Sequence, residues 1–328
     1  MTAFTRRRLI KASAAGAAVA ALTKSRPSGA RADAPEPPAP KLHVPFYRTS
    51  VGSADITIVS DGTIQWAPTD LFSEVPEKEL KAFLSDFHQP TDKLRLQLNA
   101  MVVDLDGRRT LIDTGCAGKW QPTGGRLPEN LEAAGIDPAS IDTVIFTHLH
   151  PDHFWGITDA DDEGLIFTNA EYVAAEPELA YWDDRDLPER MPSDLLRRLA
   201  EVNLAHLAHI RDRLRTAGPA AQVVPGITFV PTHGHTPGHV SVMVESDGES
   251  LLSTGDLVGD PLIGFERPRW DFGIDWDPEQ GTASRLATLD QAATDQQRVF
   301  GFHLPWPGFG YVARDGEAYR WIQEEWEW

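Results

Sequence analysis

Cysteine is nearly absent from this sequence: Cys116 is the one cysteine among 328 residues. That excludes an intramolecular disulfide framework and any metal site built from clustered thiolates. The lone thiol, in Asp113-Thr114-Gly115-Cys116, reads as a small buried hydrophobe rather than a nucleophile. Basic charge is also scarce, with 30 Lys and Arg against 49 Asp and Glu and a formal charge of −19. Residues 1–32 hold seven of the basic side chains and no acidic one, so without them the −19 becomes −26. A body this acidic repels phosphate backbones, which argues against a nucleic-acid partner. No apolar run approaches the ~20 residues of a membrane helix, so stable membrane insertion is not expected. The G-x-S-x-G elbow of serine hydrolases is missing too.

The first 45 residues read as an address and a spacer. Thr5-Arg6-Arg7-Arg8-Leu9-Ile10-Lys11 resembles the twin-arginine export motif, and a mild Ala-rich stretch, Ala12 to Leu22, follows it. Ala30-Arg31-Ala32 has the small-x-small form of a cleavage site. Residues 1–32 are therefore expected to be a signal peptide cut after Ala32, and 33–45 a proline-rich linker. Residues 46–328 are expected to form the folded domain, carried already folded to the periplasm or beyond.

Within that domain, short apolar runs are separated by Asp-Gly pairs at Asp61-Gly62, Asp106-Gly107, Asp247-Gly248 and Asp315-Gly316. Each is a β-hairpin signal. Helices are expected at Leu127–Ala134, stopped by Gly135, at Ser193–Leu214, and at 284–294. Strands and helices alternating in two halves suggest sheets packed face to face with helices outside. On the 193–214 helix, His206 and His209 share a face that is expected to be solvated. His43 and His88 carry no signal.

The chemistry concentrates in Thr147-His148-Leu149-His150-Pro151-Asp152-His153, directly after the apolar run Ile141–Phe146. Imidazole and carboxylate are the ligands zinc takes where thiolates are lacking. His148 and His150, two apart in an extended segment, can point the same way, and Asp152 and His153, just past the turn, can face a second ion.

HxHxDH after a strand resembles the signature of the metallo-β-lactamase superfamily, and further segments resembling that family follow in order. Leu111-Ile112-Asp113-Thr114-Gly115 looks like its DTG segment, Gly234-His235-Thr236-Pro237-Gly238-His239 its GHTPGH segment, and Ser253-Thr254-Gly255-Asp256 its strand-end aspartate. Gly301-Phe302-His303-Leu304-Pro305 supplies a last histidine. The resemblance implies an α/β fold, a four-layer αββα sandwich of two packed mixed sheets with helices on the outer faces. It implies one metal site of His148, His150, His235 and Asp256, and a second of Asp152, His153, Asp256 and His303. Asp152 and Asp256 double as the catalytic carboxylates. Asp113 and His239 are expected to orient ligands from behind, whereas His233 is left open. Two divalent ions per chain follow, zinc first, with manganese, cobalt or iron as alternatives. Two such ions about 3.5–4 Å apart generate a bridging hydroxide and polarise the substrate oxygen.

Within the superfamily, the opening Phe46-Tyr47-Arg48, the Phe167-Thr168-Asn169-Ala170 segment and His303-Leu304-Pro305-Trp306-Pro307-Gly308-Phe309-Gly310 resemble methyl parathion hydrolase and its exported relatives. Trp182 falls where that group places a substrate-pocket aromatic. The expected function is an exported dinuclear hydrolase of neutral esters, a phosphotriester or aryl ester. N-acyl-homoserine lactonase is the first alternative and a non-hydrolytic metal-binding or redox protein the second. The expected partner is a small-molecule ester, and a homodimer is allowed but not required.

Overall fold

A computed structural model describes residues 44–325 apart from Glu163. The expected signal peptide, and all of the linker except its last two residues, lie outside the described residues. Among the described residues, fourteen strands form two seven-stranded sheets. The first sheet runs in chain order: β1 Phe46–Val51, β2 Ala54–Trp66, β3 Leu94–Leu105, β4 Arg108–Ile112, β5 Thr143–Ile145, β6 Glu171–Ala175 and β7 Leu214–Ala217. It is antiparallel as far as β4 and parallel from β4 to β7. The second contains β8 Gln222–Val224, β9 Ile227–Pro231, β10 Val240–Ser246, β11 Glu249–Ser253, β12 Arg298–Phe300, β13 Phe309–Asp315 and β14 Ala318–Gln323. Only β11 and β12 pair in parallel there.

The alternation of strand side chains explains the layering. On β3, Met101 and Val103 enter the core between the sheets, where they join Ile56, Ile58, Val242, Val244 and Phe300. Their neighbours Ala100 and Val102 face the other way, into a second core with Leu127, Leu131, Ala200, Leu207 and Ile210 from helices. On the far side, Val299, Val312 and Tyr319 pack against Leu289 and Ala292 of helix Pro278–Asp295. The result is the expected αββα sandwich. Each large side chain fully buried in these layers contributes about 1.5–3 kcal/mol.

Two Asp-Gly pairs close two-residue hairpins as expected. Asp106-Gly107 and Asp247-Gly248 have positive φ at both positions (53° and 75°, 50° and 82°), the backbone of a type I′ turn. At the last pair the loop falls one residue later, since Asp315 still pairs with Ala318. Asp61-Gly62 is not a turn. It lies inside the continuous strand β2, where the register with β3 shifts between Ser60 and Gly62. This bulge turns the fully buried Asp61 inward to accept the backbone N–H groups of Cys116 (3.0 Å), Gly125 (3.0 Å) and Leu127 (2.8 Å).

The helix after Ser193 is also shorter than expected. Ser193 caps its start through Leu196 N (3.3 Å), but it ends at Ile210, and Leu214 opens β7. His209 is exposed, whereas His206 is buried, contrary to the solvated face expected for both. Its ring stacks on Trp155 (5.7 Å, 18°), and its Nε2 accepts from Lys119 Nζ at 3.2 Å.

Candidate metal centre

The residues singled out at the sequence level meet at one edge of the sandwich. Asp113 follows β4 and the segment 147–153 follows β5, while Asp256 follows β11 and His303 follows β12. His235 lies in the loop between β9 and β10. Strand ends of parallel pairs in both sheets thus converge, as ligand sites in open α/β sheets commonly do.

His148, His150, His235 and Asp256 form one group of donors and Asp152, His153 and His303 another, with the donor atoms of each within 4.8 Å of one another. Asp256 is approached from both. Its Oδ2 lies 3.8 Å from His148 Nε2 and 3.4 Å from His235 Nε2, and its Oδ1 lies 2.9 Å from His153 Nε2 and 3.2 Å from His303 Nε2. Asp152 Oδ2 is 3.5 Å from His303 Nε2. His148 Nε2, His153 Nε2 and Asp256 Oδ1 are buried yet make no hydrogen bond. Buried polar atoms left so are costly unless a cation takes their lone pairs, and the donor set fits zinc.

Groups behind the imidazoles fix which nitrogen faces inward. His153 Nδ1 donates to Asp113 Oδ2 (2.8 Å), His235 Nδ1 to Asp275 Oδ1 (2.8 Å) and His303 Nδ1 to the Gln97 carbonyl (2.7 Å). Thr147 Oγ1 donates to Asp113 Oδ2 (2.8 Å) and can therefore accept from His148 Nδ1 (3.1 Å). In each case Nε2 is left facing the centre. His239 does not point there: its Nδ1 donates to the Thr232 carbonyl (3.0 Å), and its Nε2 accepts from Asp256 N (3.0 Å). It meets the shared Asp256 at the backbone rather than at the carboxylate.

Burial and neighbouring imidazoles hold His148 and His150 well below the usual range, a preference for the neutral, ligating form. Burial, with His235 nearby, holds His239 down at about 3, in keeping with its acceptor nitrogen. Burial acts the same way on His153 and His303 and is the largest single effect, but the neighbouring carboxylates together raise both: Asp256, Asp113 and Asp152 at His153, and Asp256 with Asp152 at His303. Asp256 itself, despite burial, is held well below the usual carboxylate range by His153, His303 and His148.

The structure thus brings together all seven residues expected as ligands and places Asp113 and His239 behind them. Trp182 is adjacent, its ring 6.0 Å from that of His150 and its Nε1 donating to Glu178 Oε1 at 2.8 Å. His233 gives its carbonyl to Ser284 Oγ (2.7 Å). Cys116 is fully buried, in line with a small apolar role, and burial pushes its thiol far up. Sequence reading missed Glu178, Asp275 and Asn203. Asp275 holds His235 and lies 3.3 Å from Arg285, while Asn203 holds the Leu149 carbonyl (2.8 Å) and Trp155 Nε1 (2.6 Å).

The family model of the metallo-beta-lactamase superfamily matches residues 95–319, and the chain belongs to that superfamily. An N-acyl homoserine lactonase from a Bacillus species is 29% identical over 130 residues, 39% of this chain and 43% of that protein. The Bacillus cereus lactonase is 28% identical over 127 residues, 39% and 42% of the respective chains. The chain spans less than half the length of these curated relatives. Among solved structures, AidC, a dizinc quorum-quenching lactonase in complex with the product N-hexanoyl-L-homoserine, superposes with a TM-score of 0.80. It is 27% identical, over 86% of this chain and 98% of its own. AbOPH, a hydrolase in the beta-lactamase superfamily, also scores 0.80 at 28% identity, over 88% and 100% of the two chains. These findings correct the finer resemblance to methyl parathion hydrolase, because the activity that the relatives name is that of a lactonase. The runs that suggested the other branch are short, and branches sharing one scaffold differ mainly in their sites.

Proposed function

With membership of the metallo-β-lactamase superfamily as premise, we propose that this chain is a dinuclear metal-dependent hydrolase of ester bonds whose substrates are N-acyl homoserine lactones. One observation carries the hydrolase reading: Asp256 lies between two groups of histidine and aspartate donors, 2.9 Å from one and 3.4 Å from the other. The lactone rests on the relatives, including one that binds a ring-opened homoserine product. His148, His150 and His235 would hold one ion, Asp152, His153 and His303 the other, and Asp256 both. The dizinc neighbour favours zinc. When bound, the pair supplies Lewis acidity toward the substrate carbonyl and a water acidic enough to attack near neutral pH.

The chain's own groups do the rest. Asp152, at 6% exposure the most accessible carboxylate of the donor set, is placed to take a proton from the attacking water and return it to the leaving alkoxide. Trp182 offers an apolar edge beside His150 against which an acyl chain can pack. The acidic body disfavours anionic esters, and a lactone is neutral. The same aromatic edge favours a second reading, hydrolysis of neutral aryl esters or aryl phosphotriesters. A purely metal-binding or redox role loses ground because the five ligand histidines are all in place.

The deciding experiment compares N-hexanoyl homoserine lactone, a p-nitrophenyl ester and a neutral aryl phosphotriester on protein of measured metal content. The lactone is expected to give the highest kcat/KM. A higher value for either aryl substrate would move the assignment to the second reading, and no turnover by zinc-loaded protein would end both. Export by the twin-arginine route is proposed on Arg6 and Arg7 alone, and periplasmic appearance of a variant with both changed to Lys would overturn it.

A further inference from the structure

Glu178 lies in helix Glu176–Trp182 and is 1% exposed. Its Oε1 accepts from Leu149 N (2.9 Å) and Trp182 Nε1 (2.8 Å). Its Oε2 accepts from Thr236 Oγ1 (2.6 Å) and Gly238 N (3.0 Å). Leu149 is the residue between His148 and His150, and Thr236 follows His235. One carboxylate oxygen therefore holds one donor loop, and the second oxygen holds the other.

The two loops supply three of the four donors of one metal group, and His150 Nδ1 and His235 Nε2 lie 2.9 Å apart across the gap. The approach leaves no slack. A Cβ at Gly238 would stand 2.0 Å from Glu178 N, so that position must stay glycine. Leu149 is also pinned at its carbonyl by Asn203.

We propose that Glu178 is a positioning residue that sets the spacing of the His148–His150 loop and the His235 loop, and thereby the metal affinity of the site they form. This rests on the dinuclear reading above. An ionised carboxylate only accepts, and here each oxygen takes two donors, so the match is to the anion. Glutamine would keep one acceptor and turn an NH2 group against the two donors of the opposite loop. The imidazoles would then be drawn apart from the positions in which they could hold one ion together, and loss of such supporting partners typically costs about 10–100-fold in affinity.

The test is a chelator-competition titration with zinc, and with cobalt as a spectroscopic probe, on the full protein and on Glu178→Gln. The expected result is a weakening of about 10–100-fold at the first site, a smaller change at the site of Asp152, His153 and His303, and an altered cobalt spectrum. Trp182→Phe and Thr236→Val each remove one donor from a different oxygen and should give smaller losses at the same site. They carry the test if the Gln variant does not fold. Equal weakening at both sites, or affinities within twofold of the wild type alongside a lowered Tm, would make Glu178 an ordinary buried carboxylate and overturn the proposal. Wild-type protein that binds neither zinc nor cobalt would overturn the dinuclear reading itself, and this proposal with it.

Discussion

Asp113 Oδ2 accepts from His153 Nδ1 at 2.8 Å while Asp113 Oδ1 accepts from Thr147 N at 2.8 Å, so one carboxylate aims a metal donor and anchors the loop that carries it. The residue adopts φ 61°, a conformation Asn tolerates at least as well as Asp. Asp113→Asn therefore isolates the loss of charge and acceptor from backbone strain. Zinc affinity at the His153 site should fall by about 10–100-fold, with less change at the other site. Chelator competition checks this, and an unchanged His153 site would show that the pairing is incidental.

Asp256 is the one donor that both groups share. Asp256→Asn should lower the metal content at both sites, since a neutral amide offers a weaker oxygen and no charge to offset two cations. His303→Ala should remove metal chiefly from the site that includes Asp152 and His153. Elemental analysis after dialysis separates the two patterns, and identical losses in both variants would contradict the grouping.

Asp61 is fully buried and holds three backbone N–H groups of the segment that leads from Cys116 to Leu127. Asp61→Ala would orphan all three. The expected cost is at least about 3 kcal/mol, by the penalty for buried unsatisfied donors. Urea denaturation provides the measurement, and a change below 1 kcal/mol, on the order of one net hydrogen bond, would mean that water or a rearranged loop replaces the carboxylate.

His206 should act as an acid-labile point in the fold. Burial, with Lys119 beside it, lowers its pKa to about 4 from the ordinary 6.5, despite a hydrogen bond to the Val202 carbonyl and the nearby Asp162. A folded-state pKa below the unfolded one means stability that is fully present above about pH 6.5 and is lost as pH falls through about 4. The full difference is worth up to about 3 kcal/mol. His206→Gln should flatten the fall in Tm between pH 6.5 and 4 in metal-free protein. An unchanged slope would show that His206 stays neutral throughout.

Four of the metal donors, His148, His150, Asp152 and His153, were legible because they sit in one short contiguous segment whose spacing limits what they can do, whereas His235, Asp256 and His303 were placed by the family resemblance. The αββα layering was implied by the family resemblance, since the order of strands and helices suggested no more than packed sheets with helices outside. The structure shows the alternation behind it in strands such as β3, where Met101 and Ala100 face different cores. Burial of isolated charged residues was not legible. Glu178, Asp275 and Asp61 each look like surface carboxylates, and only the tertiary structure supplies their donors. Asp61-Gly62 also misled because the same dipeptide suits a type I′ turn and a bulge, and local sequence does not choose between them. His206 shares a helical face with His209, but the stack on Trp155 depends on a 3-10 turn some fifty residues away.

The edge where the donors meet has a mechanical consequence. Asp152 and His153 follow a strand of the first sheet, whereas His235, Asp256 and His303 belong to the second, and residues 218–221 alone join β7 to β8. Cations held there rivet one half of the chain to the other, independently of the apolar surface between them. Every tenfold rise in free zinc above the dissociation constant would then add about 1.4 kcal/mol per site to the cohesion of the halves. A chain nicked between β7 and β8 would stay in one piece while loaded, and a chelator would leave its two fragments joined by apolar packing and by hydrogen bonds such as those of Glu178 to Thr236 and Gly238.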